Sequence, residues 1–176
     1  MSYAEAFFGL KGKVIVVTGG TGQLGRQICK TCLKMKAKVI ALDNDVLKGR
    51  LKGVQYLRVD ITRKDEIIST FKTIFKKYGK VDVLINNAGV SVFEPFEERG
   101  EKSLDIVMDV NLKGTFFCIQ SYVNLFDKYK LKKGVIINIA SFYGIISPDP
   151  RIYTDCSRKN SEIYGATKAG VIQMTK

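Results

Sequence analysis

Tyr164 and Lys168, in Tyr164-Gly165-Ala166-Thr167-Lys168, stand four residues apart, which puts a phenol and an ammonium on one face of a helix. A tyrosine titrates at about 10, and a nearby cation favours its phenolate by about one to three units, bringing it into range as an acid or base. The chain has no histidine, which excludes Ser-His-Asp hydrolysis and HExxH zinc chemistry and leaves proton transfer to another side chain. A second Tyr-x-x-x-Lys, Tyr129 to Lys133, falls in a basic turn, where a solvated role is expected. Tyr164 is set apart by what precedes it in order: Asn86-Asn87-Ala88-Gly89, Asn111 in Val110-Asn111-Leu112-Lys113-Gly114, and Ser141 closing Asn138-Ile139-Ala140-Ser141.

A second chemical feature lies near the start. Thr18-Gly19-Gly20-Thr21-Gly22-Gln23-Leu24-Gly25 follows the apolar run Val14-Ile15-Val16-Val17 and precedes an amphipathic segment, so it reads as strand, glycine turn and helix start. Glycines let backbone approach a pyrophosphate, and the helix start offers unpaired N–H groups and the positive end of its dipole. Asp43 closes the next apolar run, Val39-Ile40-Ala41-Leu42, where a ribose-binding acid is expected about 20 residues beyond the glycines. A carboxylate there accepts from the ribose 2′-hydroxyl of NAD and repels the 2′-phosphate of NADP, so NAD is expected over NADP. Arg26, just after the turn, could partly offset that repulsion.

Taken singly, each residue also has a purely structural reading. Ser141 could cap a turn, Asn86 and Asn87 could form one, and Asp43 could cap a helix before Val46. Asp60 could cap the helix after Thr62. Asn111 shares a stripe with Leu104, Val107 and Cys118, so it should face inward, where a satisfied core amide would look the same.

The elements that must position these groups are legible as alternation. Val- and Ile-rich runs at Lys13 to Thr18, Lys38 to Asp43, Val54 to Val59, Val81 to Asn86 and Gly134 to Ala140 read as strands. Between Lys64 and Tyr78, Ile67, Ile68, Phe71, Ile74, Phe75 and Tyr78 form one helical face, with Lys72, Lys76 and Lys77 opposite. Apolar strands alternating with helices predict an α/β fold with a parallel sheet covered on both faces, in the order 3-2-1-4-5.

Together these ordered motifs resemble the short-chain dehydrogenase/reductase family, from Lys11 to Lys176. The resemblance implies a single Rossmann-like, doubly wound NAD(P)-binding domain over residues 1–176 and hydride transfer between a nicotinamide cofactor and a carbonyl or alcohol carbon of a small molecule. It gives Tyr164 the proton transfer to the substrate oxygen, and Lys168 the roles of lowering the tyrosine pKa and holding the nicotinamide ribose. Ser141 would hydrogen-bond the substrate oxygen, and Asn111 would hold a water of the proton relay. Thr18, Gly19, Gly22, Gln23, Leu24, Gly25 and Asp43 would line the dinucleotide site. Asn87, Ala88 and Gly89 would support it, with Asp60 and the adjacent Ile61 at the adenine. The glycine spacing is similar to the extended, nucleotide-sugar-modifying branch, with Gln23 in a usual glycine position, whereas Asn-Asn-Ala-Gly and Asn-Ile-Ala-Ser resemble the compact branch. The segment from Phe142 to Ile163 carries Asp149, Arg151, Asp155, Arg158 and Lys159, from which a polar, sugar-like or anionic substrate is expected. Family members continue through two further strands, and a full-length form is expected to be a homo-oligomer. Without those strands the fifth strand would expose an edge, so these 176 residues alone are expected to be poorly soluble or inactive.

Composition bounds the rest. A chain of 176 residues fits one domain that buries roughly 70% of its unfolded surface. The sequence contains no run of membrane-spanning length, and Met1 to Glu5 lacks the layout of a secretion signal, so a cytoplasmic location without a membrane partner is expected. Cys29, Cys32, Cys118 and Cys156 make no disulfide framework; Cys29 and Cys32 should pack in the core, on a helix face with Leu24, Ile28 and Leu33. The net charge of +12 is dispersed and lacks interleaved aromatics, which argues against a nucleic-acid partner. A non-catalytic dinucleotide-binding or scaffold protein is the alternative reading.

Overall fold

The computed structural model describes residues 9–47, 50–152, 154 and 161–176. Among these residues, five parallel strands, β1 (Val14–Thr18), β2 (Lys38–Asp43), β3 (Gln55–Arg58), β4 (Val83–Asn86) and β5 (Val135–Asn138), stand in the order β3-β2-β1-β4-β5. The expected order and strand positions hold, with most ends trimmed by a residue or two where ladder pairing stops. Among the described residues, five α-helices connect and cover them: α1 (Gln23–Lys34), α2 (Lys64–Tyr78), α3 (Glu101–Met108), α4 (Thr115–Lys128) and α5 (Glu162–Thr175).

Why the strands read as unbroken apolar runs is visible in β1. Val14 and Val16 point into a core shared with α2 and α4, while Ile15 and Val17 point into the opposite core with Cys29 and Cys32 of α1. A strand buried on both faces has no polar side to show. On α2, Ile67, Phe71, Ile74 and Phe75 are buried, with acids in its first turn and lysines in its last, as the dipole favours. Each such side chain contributes about 1.5–3 kcal/mol by leaving water; truncating Phe71 to alanine would cost about 3–5 kcal/mol.

Two helix faces differ from expectation. Leu24 does not join Cys29 and Cys32 in the core but is 54% exposed, and Leu104 is 41% exposed although Val107, Asn111 and Cys118 of its stripe are buried. In both cases 3.6-residue periodicity predicts a face but not how far around the helix its cover reaches. Tyr129 ends α4 with its ring 5.2 Å edge-on to Phe75, so the second Tyr-x-x-x-Lys has a packing role at its phenol and an exposed lysine. β5 is a sheet edge among the described residues, with Val135 and Ile137 about half exposed.

Because the chain moves outward from β1 to β3 and then returns beside β1 as β4, the sheet has its switch point between β1 and β4. A crevice opens there at the carboxyl ends of the strands, the usual ligand position in such sheets.

Candidate functional site

The crevice is a cleft of about 670 Å³, within the ordinary range for small-molecule sites. One end begins at the glycine turn. Gly19 has φ +65°, and a Cβ on it would meet the Ala88 Cα at 2.8 Å; a Cβ on Gly25 would collide with the Gly19 carbonyl. Turn, helix start and the segment after β4 are therefore pressed backbone to backbone. Gly22, the N-cap of α1, supplies no side-chain cap, and no acid stands in the first turn. Those first-turn amides keep their positive end toward the cleft for an anion.

Thr18 fastens the turn to the next strand. Its Oγ1 accepts from the amides of both Asn87 and Ala88 at 3.0 Å, while Asn87 Nδ2 donates to the carbonyls of Thr18 at 3.0 Å and Gly19 at 3.1 Å. Beside it, Asn86 Nδ2 donates to Asn138 Oδ1 at 2.8 Å across the β4–β5 pairing. The asparagines thus bridge strand ends instead of forming a local turn.

Asp43, at the end of β2, lines the cleft, with Oδ2 accepting from the Thr21 amide at 3.0 Å and Oδ1 from Asp45 at 3.3 Å. It caps no helix among the described residues, and each oxygen keeps capacity for a ligand hydroxyl. Asp60 and Ile61 also line the cleft. Asp60 Oδ1 accepts from the Thr62 amide and hydroxyl, so it closes the turn before α2, whose N-cap is Arg63. Gln23 and Leu24 reach the cleft from the start of α1, which accounts for the exposure of Leu24; Arg26 does not line it.

At the other end Ser141, Tyr164 and Lys168 come together with Asn87, Ala88 and Gly89. Ser161 caps α5 by accepting from the Tyr164 amide at 3.3 Å. Lys168, one turn on, is buried; its Nζ donates to the Ile139 carbonyl at 2.6 Å and lies 5.6 Å from the Tyr164 ring centre. Burial pushes its ammonium below the ordinary lysine value. Ser141 Oγ accepts from the Tyr143 amide at 3.2 Å, so it does cap a turn, Phe142–Gly144, and still borders the cleft.

Asn111 lies in a π-helical turn, Asp109–Gly114, a rare form that is frequent at functional sites. Both ends of its amide are engaged: Oδ1 accepts from the Val90 amide at 2.8 Å, and Nδ2 donates to the Val90 carbonyl at 2.9 Å and Thr167 Oγ1 at 3.2 Å. Asn111 and Thr18 thus stand behind the cleft wall, fixing its pieces, and neither lines it. Several contributors lacked any signal in the sequence. Thr167 and the Ile139 carbonyl are partners only through the fold. Gly144 and Gly165 let the Ser141 turn sit directly on α5, since a Cβ on either would stand within 2.8 Å of backbone across the contact.

Of the polar loop residues, Asp149 and Arg151 pair with each other at 2.7 Å, whereas Phe142, Ile145, Ile146 and Ile152 are exposed. Asp155, Cys156, Arg158 and Lys159 lie outside the described residues, as do Met1 to Glu5. Among the described residues no cluster of potential ligands is suited to a metal, and no helix is long and apolar enough to cross a membrane.

Comparison with known proteins bears on the family and the fold. The family model described as short chain dehydrogenase matches residues 13–176. The chain is 34% identical to the 3-oxoacyl-acyl-carrier-protein reductase FabG of Thermotoga maritima, over 95% of this chain and 67% of that protein. It is 32% identical to the NAD-dependent glycerol dehydrogenase of Listeria innocua, over 96% of this chain and 64% of the relative. Among solved structures, a short chain dehydrogenase from Leptospira borgpetersenii with bound NAD+ superposes with a TM-score of 0.88 at 35% identity, covering 99% of this chain and 66% of that one. The chain therefore spans about two thirds of the length of these relatives.

Proposed function

The chain belongs to the short chain dehydrogenase family, and from that premise we propose that it is an NAD-dependent oxidoreductase interconverting a carbonyl and an alcohol on a small molecule, its dinucleotide-binding domain formed by residues 1–176. The observation that carries this reading is the meeting of Tyr164, Lys168 and Ser141 in the same cleft as the glycine turn and Asp43.

The residues present fit a nicotinamide dinucleotide. A side chain on Gly19 or Gly25 would fill the cradle, and the uncapped start of α1 suits a pyrophosphate. Asp43 would hold the adenosine ribose, Asp60 and Ile61 would border the adenine, and Asn87 to Gly89 would support the middle of the site. When bound, the nicotinamide supplies or accepts the hydride. Asp43 favours NAD over NADP, because a 2′-phosphate would meet its carboxylate, and Arg26 does not line the cleft to offset that charge.

Tyr164 moves the proton at its phenol oxygen, taking it from an alcohol or giving it to a carbonyl oxygen. Lys168 contributes a cation held by the Ile139 carbonyl, beside the phenol ring and shielded from water. Ser141 donates to the substrate oxygen, its backbone-facing lone pair already anchored by Tyr143. Asn111 holds the Val90 segment against Thr167 of α5, which keeps the wall and the phenol in register. With both side-chain N–H groups so committed, this residue would hold a relay water only through an acceptor oxygen.

The test is NAD+ reduction with polyols and aldoses, and NADH oxidation with 3-oxoacyl thioesters, by the protein as the cell makes it, for the parent and Tyr164→Phe. Loss of the phenol should lower turnover about 10²- to 10⁴-fold, the range for general acid–base groups, with NADH affinity kept. Equal turnover removes the role given to the phenol. NADH binding without turnover on any of these compounds would favour a dinucleotide-binding protein that does no chemistry.

A further inference from the structure

Arg99 is a buried cation that none of these roles uses: its side chain is 6% exposed. Arginine is almost never buried unless paired, and here it is held by two segments distant in sequence. Nη1 donates to Glu94 Oε1 at 3.1 Å and to the Val92 carbonyl at 3.4 Å, and Nη2 donates to the Glu94 carbonyl at 3.2 Å. Glu94 Oε2 in turn accepts from Ser103 Oγ of α3 at 3.0 Å. On its other side the Glu162 carboxylate lies against Nε as an ion pair, without an aligned hydrogen bond. The planar fork of arginine reaches carboxylate and carbonyl at once, which a lysine ammonium does not reproduce.

The two ends of this bridge are the two sides of the cleft. Val90, Ser91 and Phe93 of the bridged loop line it, and Glu162 opens α5 two residues before Tyr164. A buried ion pair is weak evidence for stability, because desolvation cancels much of the attraction; what it does supply is one geometry. We infer that Arg99 is a positioning residue: through Glu94 and Glu162 it fixes the loop wall against the first turn of α5 and so sets where the Tyr164 phenol stands relative to a carbonyl in the cleft. The inference rests on the oxidoreductase reading for its consequence in turnover, but not for its geometry.

The experiment uses Glu162→Gln, since Glu162 is half exposed and the substitution keeps its shape, with Arg99→Met as the harsher variant and Arg99→Lys as the conservative one. Protein labelled with 3-fluorotyrosine gives a fluorine resonance for Tyr164, assigned by its loss in Tyr164→Phe. Glu162→Gln should shift or broaden that resonance while those of Tyr56, Tyr78 and Tyr122, distant from α5, stay in place. In parallel kcat should fall about 10- to 100-fold, as a small misplacement of a reacting group does, with the NADH dissociation constant within about twofold. Arg99→Lys should not restore kcat, because it keeps the charge and loses the fork. A Tyr164 resonance and a kcat unchanged in Glu162→Gln, with only thermal stability lowered, overturn the inference. If no compound is turned over by the parent, the oxidoreductase reading fails, and the fluorine spectrum still decides whether Arg99 positions the phenol.

Discussion

Thr18 and Asn87 hold each other in both directions: the Thr18 hydroxyl accepts from the Asn87 amide at 3.0 Å, and the Asn87 side chain donates back to the Thr18 carbonyl at 3.0 Å. The pair closes the switch point between β1 and β4, so the floor of the cleft is a hydrogen-bonded seam.

Replacing Thr18 with valine keeps the shape and leaves the Asn87 and Ala88 amides without their acceptor. Leaving buried donors unpaired costs about 1–3 kcal/mol, so urea unfolding of Thr18→Val should show that loss at unchanged m-value. NADH affinity should fall with it, because the seam carries Ala88 and Gly89 into the site. A variant as stable as the parent would mean that the seam is satisfied in some other way.

Gly25→Ala should act more locally. The added Cβ would collide with the Gly19 carbonyl and stand 2.8 Å from Asn87 Nδ2, so the turn must open away from the start of α1. Fluorescence titration should show NADH affinity reduced at least about tenfold, from the lost fit at the pyrophosphate. Unchanged affinity would show that the turn does not touch the dinucleotide.

The thiols predict silence. Burial, together with the charge of Cys32 in the first case, pushes Cys29 and Cys118 up to about 12, and burial raises Cys32 as well. In a Cys156→Ser background, a disulfide reagent at pH 8 should leave the native protein unlabelled and titrate these three thiols after unfolding. Rapid native labelling of Cys29 or Cys32 would instead mean that these thiols are reachable from solvent and reactive.

Lys168 gives a pH dependence of defined sign. Burial lowers its folded pKa below the ordinary lysine value, so between that folded value and 10.5 the unfolded chain binds more protons than the native one. Its contribution to stability is therefore lost as pH falls through the folded value and fully present only above 10.5. Urea unfolding should show the parent gaining stability with rising pH relative to Lys168→Met across the alkaline range. The opposite slope would mean that the ammonium is stabilised where it stands.

Much of this was legible in the sequence because the signals were local. The apolar runs of β1 and β2 and the periodic face of α2 fix which way each segment is buried, and strand–helix alternation then allows few topologies. Tyr164 and Lys168 were legible because one helical turn separates them. Leu24 and Leu104 misled because a stripe of apolar residues looks alike whether a neighbour covers it or a cleft borders it. Asn111 was correctly expected to face inward, but the Val90 backbone and Thr167 that satisfy it arrive from distant segments. The Arg99 bridge to Glu162 was invisible for the same reason: each charge, read along the chain, resembles any solvated one.

The most direct measurement is a co-crystal structure with NAD+. The account predicts the adenosine ribose on Asp43, the pyrophosphate over Gly19 to Gly25, and the nicotinamide ring beside Tyr164, leaving room for a substrate carbon about 3–3.5 Å from it. A dinucleotide bound with its nicotinamide away from Tyr164 and Lys168, or a ribose not held by Asp43, would contradict it.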